Sequence, residues 1–329
     1  MKKDTILKKK LENTLNCSGV YKMLDEKGNI LYIGKSIALK KRIHSYFAKE
    51  LNRNNKVKQM VKRIKDIEVY YTDTELDALL LECRWIRQYK PPYNTALMHP
   101  EKYSYFTATD EGCILEWVKN KPMKEAFILG PMTHKSLARG AYAYLKKRYP
   151  YAVCSRKIGS CMDYVTGRCK GYCADNHYPS LTDQVIEELK NREIIEEQLT
   201  KQMERLADNW EFEKAKEVYE QLKGLKYMSK LYEMTTVIQE ETYIGKLPIP
   251  DTFYYKYYLI KGGQIVAILK GVGAEEEEIL KKLRRIGRLE HKVVLEVDKE
   301  NIETIKIIYS FRKKKICLLY TSPSPRDTR

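Results

Sequence analysis

The sequence predicts an α+β protein assembled from several small modules rather than around one large core. Three observations predict it. Two short strand-like triplets, Gly19-Val20-Tyr21 and Tyr32-Ile33-Gly34, flank a turn-rich segment and are followed by helical patterns. Four cysteines crowd into the stretch from Cys154 to Cys173. A long helical run from about Asp183 to Tyr232 has few breakers, and a tyrosine-rich β pattern follows it. At 329 residues the chain has room for two or three such modules.

Taken in order, residues 1–15 read as a basic helical lead-in. Residues 16–98 form the first module, a small sheet with helices packed around it. Its two triplets pair as a β-hairpin, because Asp25 to Asn29 is rich in turn formers. A helix is expected from Ser36 to Phe47, with Leu39, Ile43, Tyr46 and Phe47 on one face. Ile67 to Tyr71 reads as a third strand. A second helix opens at Thr74 with a capping box to Asp77, carries Leu79-Leu80-Leu81-Glu82, and stops before Pro91-Pro92-Tyr93-Asn94.

Residues 99–182 hold a linker and a cysteine module. The linker runs through Lys102 to Phe106 and Ala126 to Pro131, then a helix with Leu137, Ala141, Tyr144 and Leu145. The thiols are Cys154, Cys161, Cys169 and Cys173, interspersed with Gly159, Gly167 and Gly171. They can fold back around one centre, and tetrahedral thiolate sets suit zinc or an iron–sulfur cluster. Four unrelated buried cysteines is the alternative. The spacing lacks the paired Cys-x2-Cys knuckles of zinc ribbons. Residues 183–235 read as two helices with a tight joint at Asp208-Asn209, with an apolar stripe through Leu199, Met203, Leu206 and Leu222. That stripe serves a docking partner or an ordinary packed hairpin. Residues 236–316 turn to a mixed pattern: strands at Phe253 to Ile260, Gln264 to Leu269 and Val293 to Val297, with an acidic helix from Glu275 to Ile286. Residues 317–329 fit none of these elements and read as a non-native tail.

The net charge is +17, which points to a polyanionic partner. Between Lys40 and Lys65 there are ten Lys or Arg against one acid, Glu50. Lys40, Lys41, Arg42, Arg53, Lys56, Lys58, Lys62 and Arg63 are the candidate phosphate-tracking side chains. Between Glu187 and Glu233 the balance reverses, with twelve acids against nine bases, so the helical pair is a poor nucleic-acid binder. A charged, polar start and the lack of a spanning apolar run read as a cytoplasmic protein without a membrane partner. Eight cysteines in that setting are thiols or metal ligands.

Glu82 stands beside an apolar helix face, where a carboxylate is costly without a partner. One divalent cation would be suitable. Arg42, next to Ile43, is placed to fork onto a phosphate oxygen.

Gly19-Val20-Tyr21, Tyr32-Ile33-Gly34-Lys35, Leu39-Lys40-Lys41-Arg42, Leu79 to Glu82 and Lys90 to Asn94 together resemble the GIY-YIG nuclease family. The nearer likeness is to the amino-terminal part of the UvrC family, incision subunits of the bacterial UvrABC excinuclease. Val20 in place of the usual Ile is the one departure in residues 16–98. The resemblance implies a small α/β sandwich nuclease domain acting as an endonuclease in nucleotide excision repair. Such an enzyme cuts damaged double-stranded DNA on the 3′ side of a lesion, on DNA presented by UvrB, and takes no small-molecule substrate. It implies that Glu82 holds one Mg²⁺ or Mn²⁺. Tyr32 would act as base with Tyr21 orienting water, Lys35 would help depress the phenol, and Asn94 would support the site. The cysteine region resembles the UvrC one and implies a four-iron (4Fe-4S) cluster, with zinc as the alternative; Tyr172 replaces a proline usual there. The helical pair resembles the UVR motif, which binds UvrB, with Phe212, Glu213 and Ala215 at its centre. Helix-hairpin-helix repeats and a second, ribonuclease-H-like nuclease would follow in that family. A short stand-alone homologue lacking them, or a non-catalytic DNA-binding scaffold, are the other readings.

Overall fold

The computed structural model describes residues 2–48, 55–110, 113–122, 127–153, 162–172, 180–289, 297–314 and 317–321. They fall into two units, the first made of residues 1–99, 238–296 and 300–329, the second of residues 100–237 and 297–299.

The first unit begins with α1 (Lys2–Asn13), β1 (Gly19–Leu24), β2 (Ile30–Ser36), α2 (Leu39–Ser45), α3 (Asn55–Arg63), β3 (Asp66–Tyr71) and α4 (Glu75–Tyr89). The strands form an antiparallel sheet in the order β2-β1-β3. Asp25 makes the hairpin turn, its Oδ1 accepting the N–H groups of Lys27 and Asn29 at 2.9 Å each. Because β1 is central, both of its faces are covered, and neighbouring residues serve opposite cores. Tyr21 and Met23 pack with Leu39, Ile43 and Met60 on the side of α1, α2 and α3. Val20 packs with Ile33, Ala78 and Ile86 on the side of α4. Lys22, also buried, is held by aromatic faces, its Nζ lying 4.3 Å from the Trp85 ring centre and 4.5 Å from that of Tyr89.

Helix α4 starts with the expected capping box between Thr74 and Asp77 and ends at Lys90, whose φ of 45° turns the chain into Pro91. Helix α2 is shorter than the expected Ser36 to Phe47. Ser36 belongs to β2, while Tyr46 and Phe47 close a last turn onto Ile43 and His44. Helix α3 is an addition to the elements expected from sequence: Val57, Met60 and Val61, with Ile64 just beyond its end, face the core around Tyr21 and Met23, while its lysines and arginine face solvent.

A second sheet in this unit has the order β10-β7-β8-β9, from β7 (Thr242–Pro248), β8 (Tyr254–Lys261), β9 (Gln264–Val272) and β10 (Cys317–Thr321). The tyrosine run is legible as alternation. Tyr257 and Leu259 pack with Ile279 and Leu283 of α10 (Glu276–Leu289). Tyr258 and Ile260 pack with Leu76 of α4 and with Ile308 and Phe311 of α11 (Ile302–Lys314). Expected as a tail outside every element, Cys317–Thr321 instead supplies an edge strand, its apolar Cys-Leu-Leu-Tyr run pairing antiparallel with β7. Of the strand expected at Val293 to Val297, all but the last residue lies outside the described residues. Hydrogen bonds tie the second sheet to the cap of α4: Tyr258 Oη lies 2.7 Å from Thr74 Oγ1, and Lys256 Nζ lies 2.9 Å from Asp77 Oδ2.

The second unit contains an antiparallel sheet β5-β4-β6, from β4 (Ser104–Thr109), β5 (Ile114–Val118) and β6 (Phe127–Met132). Helices α5 (Lys135–Arg148), α6 (Met162–Val165), α7 (Leu181–Lys190), α8 (Arg192–Asp208) and α9 (Phe212–Glu240) follow. Helices α5 and α9 cross closely at Gly140 and Gly224. A Cβ on either would strike the backbone of the other helix. The expected joint is present: α8 ends at Asp208 and Trp210 turns the chain with a φ of 62°.

Candidate active site

Strands β1 and β2 and helix α2 bring three phenols together. Tyr21 and Tyr32 face each other across the hairpin with ring centres 6.1 Å apart. Tyr46 lies 6.1 Å from Tyr21 and 6.2 Å from Tyr32, and its hydroxyl is 3.0 Å from that of Tyr21. Gly34 makes room for this cluster, since a Cβ there would run into the Tyr21 hydroxyl. Arg42 lies one turn before Tyr46 on α2, its guanidinium 5.1 Å from the Tyr46 ring centre. Burial pushes the Tyr21 phenol up, reinforced by Tyr46 and Tyr32, while Arg42 pulls it the other way. Tyr32 is also pushed up, by burial, by Tyr46 and by Glu82, again opposed by Arg42.

Glu82 projects from α4 toward the end of β2. Its Oε1 accepts the Lys35 backbone N–H at 3.0 Å. Burial raises its carboxyl above the ordinary range, against the N–H of Lys35 and the charges of Lys35 and Arg42. Among the described residues no set of three or more His, Cys, Asp or Glu is arranged to hold a metal. Glu82 therefore offers a single carboxylate, which fits Mg²⁺, an ion bound by one or two carboxylates with water and phosphate oxygens completing its shell. Asn94 grips the main chain of Ile33, accepting its N–H at 3.0 Å and donating to its carbonyl at 2.9 Å. That pair fastens the segment after α4 to β2.

Two expectations change. Lys35 does not point its ammonium at a tyrosine: its Nζ is 2.8 Å from Glu75 Oε1. Its backbone, not its charge, makes the close contact with the site. And both phenols are raised rather than depressed. The residue that sequence reasoning missed is Tyr46. Its only signal in the sequence is its position four residues after Arg42, which equally marks an apolar helix face.

Lys41 and Arg42 on α2 and Lys56, Lys58, Lys62 and Arg63 on α3 are all exposed. Lys40 Nζ is partly occupied with the Glu12 carbonyl, 2.9 Å away, and Arg53 lies outside the described residues. Of the four clustered cysteines only Cys169 is described; Cys154, Cys161 and Cys173 lie outside the described residues. The Cys169 Sγ accepts the Gly171 N–H at 3.4 Å. In the helical pair, Leu199 and Leu222 pack with Ile195, Val218 and Leu225, so that part of the stripe is internal packing. Ala215 is buried and Glu213 exposed, whereas Phe212 is 60% and Trp210 81% exposed, the two rings meeting edge to face at 5.9 Å.

Known proteins resemble the segment that holds the phenol cluster and more of the chain. A family model described as the UvrC-like GIY-YIG domain matches residues 17–95. These residues are a UvrC-like GIY-YIG domain. Similarity extends beyond this domain. The UvrABC system protein C of Caldicellulosiruptor saccharolyticus is 30% identical over 94% of the chain and 56% of its own length. That of Caldanaerobacter subterraneus is 29% identical over 86% of the chain and 47% of its own length. The chain thus spans about half the length of these curated relatives. Among solved structures, the GIY-YIG amino-terminal endonuclease domain of Thermotoga maritima UvrC, bound to magnesium, matches with 29% identity. It covers 27% of the chain and 97% of its own, with a TM-score of 0.25. No described helix is long and apolar enough to cross a membrane.

Proposed function

We propose that the chain is the DNA-cutting, amino-terminal part of a nucleotide-excision-repair endonuclease of the UvrC kind. The observation that supports this most is the convergence of Tyr21, Tyr32, Tyr46, Arg42 and Glu82 from four elements of a UvrC-like GIY-YIG domain. Phosphodiester hydrolysis needs an oriented water, relief of charge on the phosphorane-like transition state, and a proton for the leaving oxygen. Glu82 would hold one Mg²⁺ or Mn²⁺, which when bound relieves negative charge on the leaving side. Arg42 supplies a forked donor for a non-bridging phosphate oxygen. The raised phenols stay protonated at neutral pH and so orient water rather than stand ready as phenolates. Tyr32, nearer the Glu82 carboxylate, takes the nucleophile's proton only by passing its own phenolic proton, in the same step, to a phosphate oxygen of the substrate, and Tyr21 with Tyr46 fixes the water's direction. Arg42→Ala should lower turnover more than affinity, because Lys41, Lys56, Lys58, Lys62 and Arg63 still track the backbone.

The α8–α9 hairpin serves as the UvrB-docking element, presenting Phe212 and Trp210 at its joint. The four cysteines form one centre, an iron–sulfur cluster in preference to zinc. The N–H donated to Cys169 is of the kind that tunes cluster thiolates. Anaerobically purified protein should be brown, and Cys169→Ser should bleach it; colourless protein with one equivalent of zinc would overturn the iron assignment. The functional reading is tested by incubating the chain with lesion-bearing duplex, UvrB and Mg²⁺ and mapping the cut. One incision on the 3′ side is expected. Cutting on the 5′ side alone, or none, would contradict it.

A further inference from the structure

Helix α4 carries a second cluster of polar groups on a side away from Glu82. A groove of about 1010 Å³ runs between α4, β9 and α11. Arg84, Arg87 and Gln88 of α4 line it, facing Gln264 of β9 and Thr304 of α11, with Ile268 among the aliphatic side chains of its floor. Arg87 is the exceptional member. Its Nε and Nη2 are buried, and neither has a hydrogen-bond partner. Lys256, another cation at this groove, is satisfied by Asp73 and Asp77. A desolvated guanidinium with idle donors is costly unless an anion completes it. A turn of the Arg87 side chain into the groove would let the fork of Nε and Nη2 meet two oxygens of one phosphate. Arg84 stands one turn earlier on the same helix and adds a second cation to the groove.

We infer that this groove is a second nucleic-acid site, taking a few nucleotides of single strand with Arg87 on a phosphate. The inference rests on the nuclease reading for its choice of polyanion. Charge favours that choice: Arg84, Arg87 and Lys256 line the groove against Asp73 and Asp77, and Lys256 engages both aspartates, in a chain of net charge +17. The volume is that of a small-ligand site, which suits a few nucleotides of single strand better than a duplex. The amides of Gln88 and Gln264 and the hydroxyl of Thr304 are donors and acceptors for base edges or sugar. The exposed Ile268 gives a base an apolar surface. Arg87 lies five residues beyond Glu82, about 7.5 Å along the helix axis.

The test is binding of 5′-phosphorylated trithymidylate to the full chain, measured by calorimetry beside inorganic phosphate and a hexaglutamate peptide. Arg87→Gln should weaken trithymidylate binding about tenfold or more. Arg84→Gln, a change at an exposed position, should weaken it by about threefold and covers the case in which the first variant fails to fold. Unchanged affinity in either folded variant overturns the site. So does phosphate or hexaglutamate binding as tightly as trithymidylate. If the parent ignores trithymidylate yet cuts UvrB-presented duplex, the groove assignment fails and the nuclease reading stands. Binding that depends on Arg87, without any cutting, does the reverse.

Discussion

The chain places aromatic side chains in two opposite ways. In the GIY-YIG domain, Tyr21 is fully buried and Tyr46 nearly so, each bonded to the other. At the α8–α9 joint, Trp210 and Phe212 stand in solvent with, among the described residues, only each other as ring partners. The first arrangement is finished before any ligand arrives. Its hydroxyls are aimed, and the burial that aims them also holds their protons on. The second leaves two large rings in water, where burial against another surface would be favourable. On the proposed function, the buried aromatics act by position and the exposed ones bind by area.

The largest effect should come from the cutting side. Glu82→Ala should slow cutting by about a thousandfold while DNA affinity, measured by gel shift, stays within about twofold, because it removes a cation ligand and no phosphate contact. Full cutting by that variant would remove Glu82 from the site. Next is Phe212→Ala, which should cost about 2–4 kcal/mol in UvrB binding, as an interface anchor does. Calorimetry with UvrB reads this directly, and a folded variant that binds UvrB as tightly as the parent would make the joint mere surface. Tyr46→Phe should follow, with about a tenfold fall in single-turnover rate from loss of the hydroxyl that fixes Tyr21. A rate equal to the parent's would make Tyr46 a packing residue.

The smallest effect concerns stability. The Glu82 carboxyl is raised in the folded protein above its unfolded value of about 4.3. Its contribution is therefore full below the unfolded value and lost as pH rises through the folded one. Glu82→Gln, which stays neutral, should melt higher than the parent in chelator at pH 7–8, and the gap should close toward pH 4–5. Thermal melts at both pH values check the sign. A gap that widens on acidification would mean that the carboxylate is stabilised where it sits.

Much of the cutting side was legible because its signals are local. Asp25 to Asn29 spells a turn, Thr74 and Asp77 spell a helix start, and the spacing of Glu82 in α4 survives in the fold. What was not legible depends on contacts far apart in the chain. Tyr46 becomes a site residue only when β1 brings Tyr21 to it, and nothing in α2 alone distinguishes it from Ile43. The destination of Lys35 was hidden in the same way, since Glu75 lies forty residues on, at the start of α4. Helix α3 carries a short stripe, Val57, Met60 and Val61 with Ile64 just beyond, but the lysines and arginine between them point to a phosphate-tracking surface before they point to a helix. In the α8–α9 pair the apolar periodicity was plain, but a stripe does not say which residues it spends internally. Leu199 and Leu222 went inward, and the joint was left to Trp210 and Phe212.

The claim that the buried phenols cut is tested most directly by Tyr21→Phe. Its single-turnover cutting of UvrB-presented, lesion-bearing duplex would be measured with UvrB affinity taken on the same preparation. The account predicts a rate about a hundredfold below the parent's, with UvrB affinity unchanged. A variant that binds UvrB normally and cuts at the parental rate would contradict it.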